Sequence, residues 1–149
     1  MRIVIQRVTR ASVSIEGRVE SAIEKGMMVL LGVGYADTDD DIDWLVKKTI
    51  NLRIFDDSEG VMNLSVKDVE GSILVVSQFT LMASCKKGNR PSYIHAASPD
   101  VSVPLYERFC KRLSESIGKP VSTGVFGADM QVELVNDGPV TIVIDSKDK

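Results

Sequence analysis

The longest apolar run in the chain reads MMVLLGV and covers residues 27–33. A short apolar run that ends in glycines, here Gly32 and Gly34, is typical of a strand buried on both of its faces. It is far too short to span a bilayer, which needs about 20 apolar residues. We therefore predict that residues 27–33 form a central strand of a sheet in a protein without a membrane span.

Alternating patterns on both sides of this run predict more strands. Residues 2–8 alternate loosely and residues 11–16 alternate clearly, with a turn at Glu16-Gly17-Arg18. Such period-two patterns indicate half-buried strands. Later in the chain, we predict one strand with a polar centre at residues 73–81 and two final strands at residues 131–135 and 140–145.

Two segments have helical spacing. The acidic residues 37–43 precede apolar residues spaced as on a helix, so we predict a helix that begins near Thr38 or Asp39, where aspartates favour the positive end of the helix. Pro104 is predicted to lie in the first turn of a second helix that ends near Ile117, before Gly118. The expected fold is one mixed α/β (α+β) domain over residues 1–149, with two helices and mostly antiparallel strands.

Composition limits the possible functions. The chain has 149 residues and a net charge of −3, whereas proteins that hold long nucleic acids are usually basic. If this protein binds RNA, we expect it to grip a short stretch. No signal peptide is recognisable at the N-terminus, and the two cysteines, Cys85 and Cys110, are expected to be reduced thiols, so we predict a cytoplasmic protein.

Several kinds of chemistry lack the residues that they need. The only histidine is His95, which is too few for a zinc site, and no GxSxG motif accompanies it for a serine triad. The segment from Asp37 begins like a calcium loop but has Ile42 where glycine is required and Lys48 where glutamate is required. We predict no metal and no cofactor, and hence a reaction whose substrate is already activated or supplies its own catalytic group.

Two motifs remain, each with two interpretations. Ser77-Gln78-Phe79-Thr80-Leu81 ends an apolar strand, so it is either the lip of a pocket that aims backbone N–H groups at an oxyanion or a strand that merely alternates its faces. Asn136-Asp137-Gly138-Pro139-Val140-Thr141 is either a hairpin turn or a rigid backbone clamp whose carbonyls hold an ammonium group.

These two motifs, SQFTL at 77–81 and NDGPVT at 136–141, resemble the two signature motifs of the D-aminoacyl-tRNA deacylases. Other segments are similar to the same family, and they include IQRV at 5–8, LLGV at 30–33, MNL at 62–64, RPS at 90–92 and ADM at 128–130. The resemblance covers nearly the whole chain in order. Tyr93 is a small departure, because many relatives have phenylalanine there.

The resemblance implies a fold and an assembly. It implies two β layers, barrel-like and mostly antiparallel, with two main helices packed outside, in a two-fold homodimer. It also implies that Gly138-Pro139 is a cis peptide that inserts into the partner subunit's pocket, beside residues 77–81 there. Each site would then be shared between two chains, and an isologous dimer would have two such sites.

Residue roles follow from the same resemblance. The carbonyls of Gly138 and Pro139 would capture the α-amino group. The catalytic segment Ser77, Gln78, Phe79 and Thr80 would line the ester, with the Phe79 and Thr80 N–H groups on its carbonyl. Arg7 would brace the clamp. Substrate contacts would come from residues around the terminal adenosine and the amino acid, namely Leu81, Phe126, Met130 and Ala96.

Other predictions follow from charge and packing. Lys86, Lys87 and Arg90 are candidate contacts to tRNA phosphates because they are clustered in one loop. Phe126 and Met130 have a second interpretation as ordinary core residues.

The implied activity is hydrolysis of the ester in D-aminoacyl-tRNA, with rejection of the L-ester and cleavage of glycyl-tRNA, including glycine mischarged on alanine tRNA. The alternatives are another tRNA esterase or a non-enzymatic nucleic-acid-binding module.

Overall fold

The computed structural model of the protein describes all residues, 1–149. A 3₁₀ turn at Phe79–Met82 follows the sixth strand. The helices and strands, in chain order, are β1 (Arg2–Ile15), β2 (Arg18–Ile23), β3 (Gly26–Gly32), α1 (Asp39–Asn51), β4 (Phe55–Asp56), β5 (Met62–Leu64), β6 (Ser72–Ser77), α2 (Pro99–Ile117), β7 (Ser122–Thr123) and β8 (Gln131–Asp145).

Six strands form one sheet in the order β2-β1-β3-β6-β7, with β8 also paired to β1, and β4 and β5 form a separate ribbon. β1 is antiparallel to β2, β3 and β8, whereas β6 is parallel to both β3 and β7. The Ser21 hydroxyl of β2 donates to the Thr123 carbonyl of β7 at 2.7 Å, which links the two ends of the sheet. The predicted mixed α+β class, with a barrel-like sheet and two main helices, is confirmed.

The apolar run at residues 27–33 is the central strand β3, as predicted. Met27, Val29 and Leu31 are buried in the main core, and β3 lies between β1 and β6. Gly26 begins the strand at a very close approach, because a Cβ atom there would lie 1.8 Å from the Ser72 carbonyl oxygen. Only glycine allows β3 and β6 to pair in this register.

The helices cover one side of the sheet. Thr38 is the N-cap of α1, and its N–H donates to the Asp41 carboxylate at 2.8 Å, so the predicted start of this helix is confirmed. Leucines and aromatic residues of both helices complete the main core, among them Leu45, Phe109 and Leu113.

The predicted start of the second helix was wrong. α2 begins at Pro99 and contains Pro104 in its sixth position. Proline at the first position needs no hydrogen-bond donor there, and Ser98 caps the helix by accepting from the Ser102 N–H at 2.8 Å. Pro104 is exposed, so its ring faces solvent and the helix loses one hydrogen bond without breaking.

Three strand boundaries also differ from the prediction. β1 is one strand of 14 residues and β8 is one strand of 15 residues, where the sequence indicated two strands each. The two strands stay paired past residues 136–139 because the ladder shifts register on both sides of Val8. β6 ends at Ser77 rather than at Leu81, since the 3₁₀ turn begins at Phe79.

No helix of the structure is long and apolar enough to cross a membrane. Both cysteines are free thiols, Cys85 on the surface and Cys110 in the core. Burial raises the pKa of the Cys110 thiol to about 12.

Candidate active site

A cavity of about 320 Å³ opens where β6 ends, and we call it the β6 pocket. Ser77, Gln78 and Phe79 form one wall, and Phe126 and Met130 contribute to another. The fold thus brings together five of the residues that the sequence singled out. A cavity of this size suits a small substrate or the end of a larger one.

The 3₁₀ turn leaves two backbone donors free beside this pocket. Its bonds run from the Leu81 N–H to the Gln78 carbonyl and from the Ala83 N–H to the Thr80 carbonyl, at 3.2 and 3.1 Å. The N–H groups of Phe79 and Thr80 donate to no atom of the protein. The first N–H groups of any helical turn lack partners within the turn, so this pair is available to an oxygen of a ligand.

Aromatic packing fixes the outer wall of the pocket. The ring of Phe126 lies edge-on to Tyr106 with 5.8 Å between centroids, and the Tyr106 hydroxyl donates to the Val75 carbonyl at 3.0 Å. Burial raises the pKa of Tyr106, so it remains a neutral donor. Phe126 is half-buried and borders the cavity, a position intermediate between the two interpretations that the sequence allowed.

Other predicted residues lie near the pocket without lining it. The Thr80 hydroxyl accepts a short hydrogen bond from the Gln78 amide, and the Leu81 carbonyl accepts from Arg2 at 2.6 Å. Ala96 forms an isolated bridge with Gly34, and its neighbour Ala97 lines the cavity instead.

The clamp segment, residues 136–141, lies inside β8. Its Gly138-Pro139 peptide is cis, as the resemblance implies, and Gly138 has a φ of 126°, in the region that favours glycine. Asn136 ties the segment together, because its side chain accepts from the Val140 N–H and donates to the Thr141 hydroxyl, both at 3.0 Å. Gly138 and Pro139 are exposed.

Arg7 contacts this segment from below. Its side chain is only 9% exposed, and it donates to the Asp137 carbonyl at 3.0 Å and to the Ile54 carbonyl at 2.7 Å. Asp56 and Asp137 place carboxylate oxygens 3.4 and 3.6 Å from the guanidinium. Arg7 therefore connects the clamp segment to the chain that follows α1.

The clamp segment and the β6 pocket do not meet within one chain. Three strand spacings separate them, from β8 through β1 and β3 to β6. In this ladder Arg7 is level with Met27 and hence with Ile73, four residues before Ser77. At about 4.8 Å per strand and 3.3 Å per residue, the two lie roughly 20 Å apart over the sheet.

The basic loop lies on yet another part of the surface. Lys86 borders a second cavity of about 630 Å³, together with Arg2, Met82 and His95. Lys87 and Arg90 are exposed, and none of these three cations has a carboxylate partner. They are free to contact anions, but they do not lie in the β6 pocket.

Sequence reasoning missed four residues of the site. Asn136 and Thr141 stood inside the NDGPVT motif, and Asp129, which lines the β6 pocket, stood inside the ADM segment. Those motifs were the available signal. Arg2 gave none, because its contact with Leu81 joins residues 79 positions apart.

A strand end with two free N–H donors, beside a cavity closed by aromatic rings, is the arrangement of enzymes that stabilise an oxyanion. Comparison with known proteins is consistent with this class. Residues 4–145 match the family model described as D-Tyr-tRNA(Tyr) deacylase, and the chain belongs to this family.

Named relatives and solved structures are similar over the whole chain. A D-aminoacyl-tRNA deacylase of Bacteroides fragilis (strain YCH46) is 66% identical over 149 residues, which cover 100% of this chain and 99% of that protein. One of Flavobacterium johnsoniae is 60% identical with the same coverage.

Among solved structures, the c-Myc DNA Unwinding Element Binding Protein has a TM-score of 0.93 at 42% identity, covering 97% of this chain and 98% of that one. A probable eukaryotic D-amino acid tRNA deacylase has the same fold, with a TM-score of 0.82 at 20% identity, covering 96% of this chain and 97% of that one.

Proposed function

We propose that the protein hydrolyses the ester bond of D-aminoacyl-tRNA and releases the free D-amino acid and tRNA. The observation that carries this proposal is the pair of free N–H donors of Phe79 and Thr80 beside the β6 pocket, in a member of the D-Tyr-tRNA(Tyr) deacylase family. An ester carbonyl held there would be polarised without any ionisable side chain.

The chemistry needs little from the side chains. An aminoacyl ester is labile because its α-ammonium activates the carbonyl, and one oxyanion donor contributes about 3 kcal/mol to the transition state. A water molecule attacks the carbonyl carbon, oriented by the neighbouring 2′-hydroxyl of the RNA. The bond to the 3′-oxygen then breaks, and that oxygen takes the proton. Trapping an acyl group on Thr80 or Ser77 would contradict this direct attack.

A second copy of the chain would complete the site. The clamp segment is exposed and lies roughly 20 Å from the β6 pocket of its own chain, so it can reach only another chain's pocket. β8 also exposes apolar side chains at Val132, Val135 and Val143, which a homodimer would cover. In this arrangement the carbonyls of Gly138 and Pro139 hold the ammonium of a substrate in the partner's pocket.

Three points of contact would then define chirality. They are the ammonium at the clamp, the ester carbonyl at the 3₁₀ turn and the substituent on Cα, with Ala96 facing the amino acid. A rigid clamp leaves space only for hydrogen on the L side, so L-esters clash. Glycine has no side chain to clash, and glycyl-tRNA is therefore a substrate too. Resistance of glycyl-tRNA at high enzyme concentration would contradict this steric account.

The rest of the tRNA end would extend from this point. We propose that Leu81, Phe126 and Met130 surround the terminal adenosine and that Lys86, Lys87 and Arg90 contact phosphates. Because the substrate is charged tRNA, the cytoplasm is the compartment where the enzyme works.

The direct test compares D-Tyr-tRNA with L-Tyr-tRNA by the loss of the ester over time. Rapid loss of the D-ester alone is expected. Loss of both esters would keep a tRNA esterase but contradict the clamp, and loss of neither would contradict the proposed reaction.

One observation favours a second candidate, a nucleic-acid-binding module without catalysis. The solved structure at 42% identity is named as a DNA-unwinding-element binding protein. The net charge of −3 makes broad DNA binding unfavourable. Binding of duplex DNA at physiological salt by a protein that cleaves neither ester would favour this candidate.

A further inference from the structure

A basic groove lies on the C-terminal half of α1, away from both parts of the candidate active site. This cavity, the α1 groove, has a volume of about 610 Å³ and is lined by Trp44, Lys47, Lys48, Asn51, Leu52 and Arg53. Lys149 of the C-terminal tail lies over the same tryptophan. The chain as a whole has a net charge of −3, so a concentration of four cations here departs from the average surface.

The cations of the groove have no partners in the protein. Lys47, Lys48, Arg53 and Lys149 are exposed, and none of them has a carboxylate within 4 Å. Nearby acids are already bonded. Asp43 pairs with Arg112 at 2.7 Å, and Asp68 accepts hydrogen bonds from the backbone and hydroxyl of Ser65. The groove is therefore positive and unneutralised.

The groove is also partly preorganised. The ammonium groups of Lys48 and Lys149 each lie 5.3 Å from the centroid of the Trp44 ring, at cation–π distance. Arg53 donates its Nε–H to the Asn63 carbonyl at 3.0 Å, which fixes the guanidinium and leaves its two terminal nitrogens free. An arginine held in this way loses less entropy when it binds a phosphate.

The helix end alone does not account for this charge. A lysine in the last turn, such as Lys48, interacts favourably with the negative end of α1. Arg53 lies beyond the helix and Lys149 belongs to a distant segment, so neither is explained by that effect. Several fixed cations along one groove suit a ligand with several charges in a row, and the phosphate backbone of RNA is such a ligand.

The groove and the clamp segment lie at the same end of the protein. Arg53 directly precedes Ile54, whose carbonyl accepts from Arg7, and Arg7 in turn donates to the Asp137 carbonyl. We propose that the α1 groove binds the phosphate backbone of the tRNA substrate at a distance from its 3′ end. The inference rests on the proposed function. If the clamp reaches into the partner's pocket, the groove contacts the tRNA whose ester lies in that pocket.

The test uses two triple variants of the full chain with the same change in charge. The groove variant carries Lys47→Gln, Lys48→Gln and Arg53→Gln. The control carries Arg18→Gln, Lys25→Gln and Lys111→Gln, three exposed cations that also lack ion pairs. Hydrolysis is measured with D-Tyr-tRNA and with D-tyrosyl-adenosine, which has no phosphate backbone, and binding of uncharged tRNA is measured against salt.

The groove variant should raise KM for D-Tyr-tRNA severalfold with kcat unchanged, and it should hydrolyse D-tyrosyl-adenosine as the wild type does. The salt dependence of tRNA binding, as the slope of log K against log salt, should fall by about one for each phosphate that the variant no longer binds. The control should change neither quantity. Unchanged KM and slope in the groove variant would overturn the proposal, as would an equal effect in the control.

Failure of the proposed function gives a different result. If the wild type cleaves no D-ester at all, the catalytic proposal fails, but the affinity for uncharged tRNA and its salt slope still measure the groove. A reduced slope in the groove variant alone would then support tRNA binding, and an unchanged slope would overturn it.

Discussion

Two arginines on the same strand hold the two halves of the candidate site, and they do so in different environments. Arg7 donates to two backbone carbonyls beneath the clamp segment and is 9% exposed, whereas Arg2 donates to the Leu81 carbonyl of the 3₁₀ turn and is 37% exposed. The Arg2 guanidinium is held in turn by Asp145, at 2.8 Å. The same residue type thus stabilises two pieces of backbone, one within the protein and one at its surface.

The difference in exposure predicts a difference in energy. Carbonyls that lose a buried partner remain unsatisfied, at a cost of about 1–3 kcal/mol each, while exposed groups recover hydrogen bonds from water. Removing Arg7 should therefore damage both the fold and the site. Removing Arg2 should affect mainly the position of the 3₁₀ turn.

Arg7→Met gives the largest expected effect. It leaves the carbonyls of Ile54 and Asp137 without their donor, so we expect a loss of roughly 3–5 kcal/mol in the free energy of unfolding and a fall of about 100-fold in kcat/KM from misplacement of the clamp. Urea denaturation and D-Tyr-tRNA hydrolysis measure the two. Arg10→Met, on the exposed part of β1, is the control, and equal losses in both variants would contradict the special position of Arg7.

Gly138→Ala breaks the clamp without touching the arginine. A Cβ atom at this position would lie 2.9 Å from Val140 Cγ2 and 3.0 Å from Arg7 Nη2. We expect destabilisation by about 1–2 kcal/mol from the positive φ, a further cost of about 1–3 kcal/mol from the crowding, and severe loss of D-ester hydrolysis.

Gly17→Ala is the matched control for this variant. Gly17 also has a positive φ, of 76°, but nothing lies within 4 Å of its added Cβ. It should lose only the conformational part of the stability and keep its activity. If the two variants behaved alike, crowding at the clamp would not matter.

The sequence predicted local features well where one short segment determines them. The central strand, the start of α1 at Thr38 and the turn at residues 16–18 follow from apolar runs, caps and glycine. The turn has positive φ at both Glu16 and Gly17, as a tight hairpin requires. These features need no knowledge of distant residues.

Boundaries that depend on distant partners were not predictable in this way. β8 continues past Asn136–Pro139 because β1 pairs with it on both sides, and β6 ends early because the chain turns at Phe79. The roles of Ser77 to Thr80 and of Gly138-Pro139 came from family resemblance. Their separation of roughly 20 Å within one chain emerges only when the strands are in register.

Arg2→Met tests the exposed side of the comparison. It removes the donor to Leu81 and should let the 3₁₀ turn move, so we expect kcat to fall about tenfold and the free energy of unfolding to change by no more than about 1 kcal/mol. Arg2→Lys should restore part of kcat. Asp145→Asn, which removes the partner of Arg2, should give a smaller fall in the same direction, and full activity in both Arg2 variants would show that the turn needs no brace.

Acid stability gives the smallest effect and tests the same end of the molecule as Arg2. Burial alone would raise the pKa of Asp41, but hydrogen bonds from Lys147, Ser146 and Thr38 hold it below its ordinary value of 3.8. A lowered pKa means that the ionised carboxylate stabilises the fold above this ordinary value and that the contribution disappears as the pH falls through the folded pKa.

Asp41→Asn should therefore be less stable than the wild type by about 1–2 kcal/mol at neutral pH, and the difference should shrink as the pH falls below 3.8. Asp145, whose pKa is also lowered, is present in both proteins, so its own titration cancels in the difference. Urea denaturation between neutral pH and the acid limit of the fold measures it. A difference that stays constant over this range would mean that packing, and not the charge of Asp41, holds the C-terminal tail against α1.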